Sequence, residues 1–181
     1  MTFEDALAEL TAIEKLVKIE DAEQDAPTRH GLYSIYVDRA EALPSPFSDE
    51  LKRRGTCLLY VGIASKSLQK RLVQQDLRHR SPSTFFRGIG AVLGYRPPVG
   101  SLRGMANQRN YKFSRSDTDK IIRWIDDHLR VRWCECETAS LADIERSLIR
   151  QLTPLMNTKD NPAKSQVLAA LRKECRDIGQ S

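Results

Sequence analysis

The chain has 181 residues and a net charge of +5, with 40% hydrophobic and 29% charged residues. This length and balance are typical of one globular domain that buries a core without disulfides or structural metals. No apolar run approaches the roughly 20 residues that cross a bilayer. The acidic start, MTFEDALAEL, also lacks the basic region of a secretory signal. We therefore expect a cytoplasmic protein with no membrane partner.

The amphipathic and alternating patterns predict helices and strands in a mixed order. Thr2 and Asp5 have the spacing of a capping box at the start of the first helix. The predicted helices cover residues 3–19, 67–77, 84–93, 117–129, 141–152 and 163–175, and the predicted strands cover 31–37, 56–63 and 131–137. Further caps are predicted at Ser83, at Ser116 with Asp119, and at Ser140 with Asp143. Residues 20–30, 38–55 and 94–115 are expected to be loops, because they contain prolines, glycines and polar residues.

The segment between Leu77 and Ser116 is strongly basic. It contains eight cations and no Asp or Glu, so the rest of the chain has a net charge of −3. Such a zone indicates a polyanionic partner, and nucleic acid is favoured over a solvated loop that merely lacks acids. The predicted nucleic-acid-binding side chains are Arg78, Arg80, Arg87, Arg96, Arg103, Arg109, Lys112 and Arg115.

Two charged residues lie on the apolar faces of predicted helices. Glu145 falls between Leu141 and Leu148, and Arg71 lies next to Leu72. A carboxylate facing a core is costly unless it is paired or binds a metal. Glu145 is therefore either a site residue or half of a buried pair with an arginine, and helical spacing alone does not separate these alternatives.

Two tyrosines, Tyr33 and Tyr60, lie on neighbouring predicted strands, each close to a glycine. If both phenols converge with Arg71 and Glu145, the site has a metal ligand, a phosphate-binding fork and two hydroxyls. This set of groups suits phosphodiester hydrolysis, in which charge develops on phosphoryl oxygens and a proton leaves the attacking water.

Five sequence elements occur in an order that resembles the GIY-YIG nuclease superfamily. Gly31-Leu32-Tyr33 resembles the first half of its motif and Tyr60-Val61-Gly62 the second half. The run Leu68-x-x-Arg71-Leu72 resembles the start of the family's first helix, with its catalytic arginine. Glu145 matches the metal-binding glutamate, and Asn157 matches the asparagine that closes the motif set.

The sequence departs from this pattern in the turn to Leu68, which is one residue longer than the common form, and at two further positions. Ile63 stands where many relatives have a lysine, and Lys66 is the candidate replacement. Gln75 stands where some relatives have a histidine, and His79 follows one helical turn later.

The resemblance implies an α/β (α+β) fold, with a three-stranded antiparallel sheet flanked by helices and extra helices at both ends. We expect a single domain, with an N-terminal extension over 1–28, a nuclease core over 29–158 that carries the basic insert 77–116, and a C-terminal helix over 159–181. The implied activity is endonucleolytic hydrolysis of phosphodiester bonds, leaving a 5′-phosphate and a 3′-hydroxyl. DNA is favoured over RNA as the substrate, although the sequence leaves that choice open. A nucleic-acid-binding module that does not cleave is the alternative, and a homodimer is left open.

The resemblance also implies roles for individual residues. Tyr33 would be the general base or would hold the attacking water, Tyr60 would hydrogen-bond in the site and Arg71 would grip the scissile phosphate. Glu145 would hold one Mg²⁺ or Mn²⁺. The supporting residues would be Gly31, Gly62, Lys66, His79 and Asn157, with Asn157 bracing the helix that carries the site.

Overall fold

The computed structural model describes residues 1–136 and 141–181, which form one antiparallel sheet flanked by helices. The strands are β1 (Val17–Lys18), β2 (Gly31–Val37), β3 (Leu58–Ala64) and β4 (Leu129–Glu135), in the spatial order β1-β4-β2-β3. This confirms the predicted mixed fold, although the sheet has four strands where three were expected. Every residue of β2 is buried, because this strand is paired on both edges and covered on both faces.

The register of β2 and β3 determines which side chains share a face of the sheet. Tyr33 lies opposite Gly62, and Ile35 lies opposite Tyr60. Alternate residues of a strand point to the same side, so Tyr33, Tyr60 and Gly62 lie on one face.

Helices cover both faces of the sheet. They are α1 (Phe3–Thr11), α2 (Ile19–Asp25), α3 (Phe47–Arg54), a π-helix (Gln69–Leu77), α4 (Thr84–Val92), α5 (Arg115–His128), α6 (Leu141–Leu152) and α7 (Gln166–Gln180). One core forms where α1 and α6 pack near Leu32 and Tyr36. A larger core on the other face surrounds Tyr33 and Ile35. Among the described residues, no helix is long and apolar enough to cross a membrane.

The predicted helix over residues 3–19 is wrong in its second half. It ends at Thr11, and Val17 pairs with Val131 of β4 instead. Without this pairing the outer edge of β4 would expose unpaired N–H and C=O groups. Sheet pairing therefore overrides the helical spacing of the apolar residues.

Two helices form where loops were predicted. α2 begins at Ile19 and covers the first half of the polar segment 20–30, and α3 lies within residues 38–55. α3 ends at Gly55, whose φ of 65° gives the left-handed C-terminal cap that glycine favours. The acidic residues in its first turn and the basic residues in its last turn also suit the helix dipole. These signals were present in the sequence and were missed.

The predicted caps have different outcomes. The box formed by Thr2 and Asp5 is confirmed, with each side chain accepting a bond from the other residue's backbone N–H. α5 is capped by Ser114 rather than Ser116, and it begins at Arg115. The predicted cap at Ser140 lies outside the described residues, as does the predicted end of the third strand at residue 137.

Candidate active site

The two motif tyrosines lie side by side on the sheet. The ring centroids of Tyr33 and Tyr60 are 6.2 Å apart, and their planes differ by 43°. Gly62 lies against both rings: a Cβ atom there would be 2.4 Å from the Tyr33 hydroxyl and 2.8 Å from the Tyr60 ring. Only a residue without a side chain leaves room for this arrangement. Gly31 meets a different neighbour, since its Cβ would be 2.2 Å from the carbonyl oxygen of Cys134.

A buried aspartate that sequence analysis missed connects Tyr33 with Arg71. The Tyr33 hydroxyl donates to Oδ2 of Asp76 over 2.5 Å, and Nη1 of Arg71 donates to Oδ1 over 2.5 Å. The Ser83 hydroxyl also donates to Oδ1, over 2.6 Å. Asp76 has no exposed surface, so three donors converge on a carboxylate that water does not reach. This arrangement fixes the orientation of both Tyr33 and Arg71.

The π-helix explains why Asp76 reaches Arg71. In an α-helix, residues five apart point in directions about 140° apart. A π-helix has i→i+5 hydrogen bonds and winds more loosely, so residues five apart lie much closer to the same face. The N–H of Arg78 donates to the carbonyl of Val73 in this pattern, over 2.9 Å. α-Helical spacing over residues 67–77, as the sequence predicts, would not bring Asp76 next to Arg71.

The electrostatics favour a neutral phenol beside a permanent cation. Burial and the nearby Asp76 raise the pKa of Tyr33 well above its usual value, and burial also raises the pKa of Tyr60. Burial opposes the charge on Arg71, but Tyr33 and Asp76 raise its pKa overall. Burial raises the pKa of Asp76, while Arg71 and the hydrogen bonds from Ser83 and Tyr33 limit that rise.

Glu145 lies half-buried on α6, which packs beside the edge strand β3. Burial raises the pKa of its carboxyl, while Arg71, Lys159 and a hydrogen bond with the Ile63 backbone lower it. Arg71 forms its ion pair with Asp76. Over residues 1–136 and 141–181, no ion pair joins Arg71 to Glu145. The structure therefore contradicts the alternative interpretation, in which Glu145 and Arg71 form a buried ion pair.

Glu145 suits a metal that needs few protein ligands. No cluster of three or more His, Cys, Asp or Glu side chains that could hold a metal occurs in the described part of the chain. Mg²⁺ often binds through one or two carboxylates and completes its shell with water and substrate phosphate. One half-buried carboxylate near Arg71 fits that pattern.

Asn157 supports the strand rather than a helix. Its amide accepts from the N–H of Val61 and donates to the carbonyl of Val61, each over 2.9 Å. The N–H of Met156 donates to the carbonyl of Leu59 over 2.7 Å. The segment after α6 therefore pairs with the outer edge of β3 and holds Tyr60 in place.

The other two supporting residues differ in position. Lys66 is exposed and borders a cleft of about 340 Å³ that Arg71, Lys70 and Arg80 also line. His79 stacks on Phe86 of α4, with ring centroids 4.3 Å apart. Burial and nearby cations lower the pKa of His79 to about 4, so it is a neutral packing residue at neutral pH.

The eight predicted basic residues fall into three groups. Arg78 pairs with Glu23 and Asp126, and Arg96 pairs with Glu174, so carboxylates within the fold balance the charges of these two arginines. Arg87 is buried. The exposed members are Arg80, Arg103, Arg109, Lys112 and Arg115.

The family model described as the GIY-YIG catalytic domain matches residues 31–177. A domain of this type acts as a nuclease, so nucleic acid is its substrate. The match covers most of the chain, and the protein belongs to the GIY-YIG family. Neither a search of curated proteins nor a search of solved structures found a match.

Proposed function

We propose that the protein is an endonuclease that hydrolyses phosphodiester bonds in DNA with one Mg²⁺ or Mn²⁺, leaving a 5′-phosphate and a 3′-hydroxyl. The observation that carries the proposal is the placement of Arg71. Its guanidinium is bonded to the buried Asp76, yet 27% of its side chain is exposed at a cleft bordered by Lys66 and Arg80. An arginine held in this way presents its remaining N–H groups to a phosphate.

Arg71 binds the scissile phosphate and stabilises charge on its non-bridging oxygens during attack. Tyr60 is a neutral, half-buried phenol that can donate a hydrogen bond to the substrate in the same site. The Tyr33 proton already points at Asp76. Tyr33 can therefore accept a proton from the attacking water only by passing its own proton to that carboxylate.

Glu145 would hold the divalent metal, because it is a half-buried carboxylate that lies close enough to Arg71 for this cation to lower its pKa. When bound, the metal supplies Lewis-acid stabilisation of the phosphoryl oxygens. A carboxyl whose pKa is raised by burial gains a counter-charge from such an ion, which favours its ionised form.

The exposed cations of the basic insert would bind the nucleic-acid backbone. Affinity should then fall steeply with salt concentration, because phosphate contacts release counterions. Replacing Arg103 and Arg109 by Gln should reduce the slope of log affinity against log salt. An unchanged slope would exclude these two residues from the interface.

A cleavage assay tests the activity. Supercoiled plasmid, branched DNA, single-stranded DNA and RNA are incubated with Mg²⁺, Mn²⁺ or EDTA. We expect metal-dependent cutting of DNA that falls at least about a hundredfold in Glu145→Gln and Arg71→Lys. Asp143→Asn is the matched control, since Asp143 is an exposed carboxylate on the same helix as Glu145. Tight DNA binding by the wild type without any cutting would make the protein a binding module instead.

A further inference from the structure

Four arginines line a recess of about 240 Å³ between α4, the basic insert and α7. They are Arg87, Arg109, Arg172 and Arg176, and the recess is called the arginine pocket below. Within residues 1–136 and 141–181, none of the four forms an ion pair with a carboxylate. Arg78 and Arg96 do have acidic partners, so the pocket concentrates cations that the fold leaves uncompensated.

Two of these arginines are buried and each has a nitrogen atom without a hydrogen-bond acceptor among the described residues. Arg87 and Arg172 are each only 9% exposed. Nη1 of Arg87 and Nε of Arg172 have no hydrogen-bond partner among the described residues. Burying an unpaired cation is costly, so such groups normally have an anion as partner.

The packing around Arg172 holds its guanidinium at the pocket. Its Nη2 donates to the carbonyls of Met156 and Thr84 over 3.2 and 3.4 Å, and its Nη1 donates to the Thr158 hydroxyl over 3.3 Å. Gly88 makes room for it, because a Cβ there would lie 2.5 Å from Nη2. The guanidinium is thus placed by α4 and by the segment after α6.

Helix α7 and the basic insert supply the remaining side chains of the arginine pocket. Arg172 and Arg176 are four residues apart on α7 and therefore lie on the same face of that helix. The guanidinium of Arg87 lies over the ring of Tyr111, 5.7 Å from its centroid. Burial, together with the other nearby arginines, lowers the pKa of both Arg87 and Arg172, as expected for cations that lack a counter-ion.

The arginine pocket lies next to the candidate active site around Asp76 and Tyr60. Thr84 lines the pocket and directly follows Ser83, whose hydroxyl donates to Asp76. Phe85 contacts the Tyr60 ring, with centroids 5.4 Å apart. The first residues of α4 therefore lie between the pocket and the tyrosines.

We propose that the arginine pocket binds a second phosphate group of the nucleic-acid strand, next to the scissile phosphate at Arg71. This assignment to nucleic acid rests on the proposed function. Arginine forks match phosphate oxygens in pairs, and Thr84, Tyr111 and Thr158 line the same recess with hydroxyls. The phosphate is either an internal phosphodiester or a terminal phosphate, and the experiment separates the two sources.

Inorganic phosphate is the first probe, in EDTA so that no cutting occurs. We expect it to raise the Tm of the wild type by about 3 to 6 °C at tenfold excess over its Kd. Arg176→Gln and Arg109→Gln should lose most of this rise. Lys173→Gln is the matched control, because Lys173 is an exposed cation on α7 outside the pocket, and it should retain the rise. An equal rise in Tm in the wild type and all three variants would overturn the proposal that phosphate binds in the arginine pocket.

Oligonucleotides with a 5′-phosphate or a 5′-hydroxyl are the second probe, with binding measured by anisotropy in EDTA. We expect Arg109→Gln/Arg176→Gln to bind at least about tenfold more weakly, with the Tm without phosphate checked as a folding control. A loss confined to the phosphorylated strand identifies a terminal phosphate, and an equal loss with both strands identifies an internal one. Unchanged affinity for both would overturn the assignment to nucleic acid. Because these readouts need no cutting, they stand or fall separately from the nuclease assay.

Discussion

Replacing Asp76 by Asn tests whether the buried carboxylate is ionised and holds the site together. The substitution keeps the size and removes the charge. The ionised carboxylate accepts from Arg71, Tyr33 and Ser83, whereas an amide has one acceptor oxygen and an NH₂ group that would face these donors. Arg71 would also lose the carboxylate with which it pairs.

Removing one partner of a buried ion pair costs about 3 to 5 kcal/mol. For a protein of this size, this loss lowers the Tm by roughly 6 to 20 °C. Asp177→Asn is the matched control, because it makes the same chemical change in an exposed pair with Lys173. Exposed pairs contribute little, so its Tm should stay close to that of the wild type.

Thermal unfolding followed by circular dichroism measures both variants, in EDTA and at neutral pH. The nuclease assay at a temperature where both are folded then reports on the orientation of Arg71. If Asp76→Asn had the Tm of the wild type, the carboxyl would be protonated in the fold. The account of Arg71 as half of a buried ion pair would then be wrong.

Two further predictions concern Gly62 and Glu145. Gly62→Ala should lower the free energy of unfolding by about 1 to 3 kcal/mol, because its Cβ would overlap the Tyr33 hydroxyl, which the bond to Asp76 holds in place. Denaturant unfolding measures this loss, with Ser65→Ala at an exposed position as the control. If Gly62→Ala were as stable as the wild type, the close contact between Gly62 and Tyr33 would be wrong. Glu145 has a folded-state pKa above its usual value of 4.5, so its contribution to stability is present below pH 4.5 and is lost as the pH rises through the folded pKa. Glu145→Gln should therefore gain stability relative to the wild type as the pH rises from 4.5 to neutral in EDTA. If the free energies of unfolding of the two proteins changed in parallel with pH, the burial of this carboxyl would be refuted.

Much of the fold was predictable, because its signals are local. β2 and β3 follow from two short apolar runs, and their antiparallel pairing follows from their neighbouring positions in the chain. The helical spacing around Glu145 correctly indicated a carboxylate that leans inward. β1 was not predictable in this way, because only the open edge of β4 makes two residues into a strand.

The sequence by itself determined the order of the motif residues and the basic character of the insert, because both can be read along the chain without knowing what packs where. Only the tertiary structure decided that Asp76 joins Tyr33 to Arg71. This required a π-helical winding and a partner 43 residues away. It also brought Arg172 and Arg176, on a helix with no motif of its own, to Arg87. Contacts of this kind depend on how distant elements pack, and no local period in the sequence encodes them.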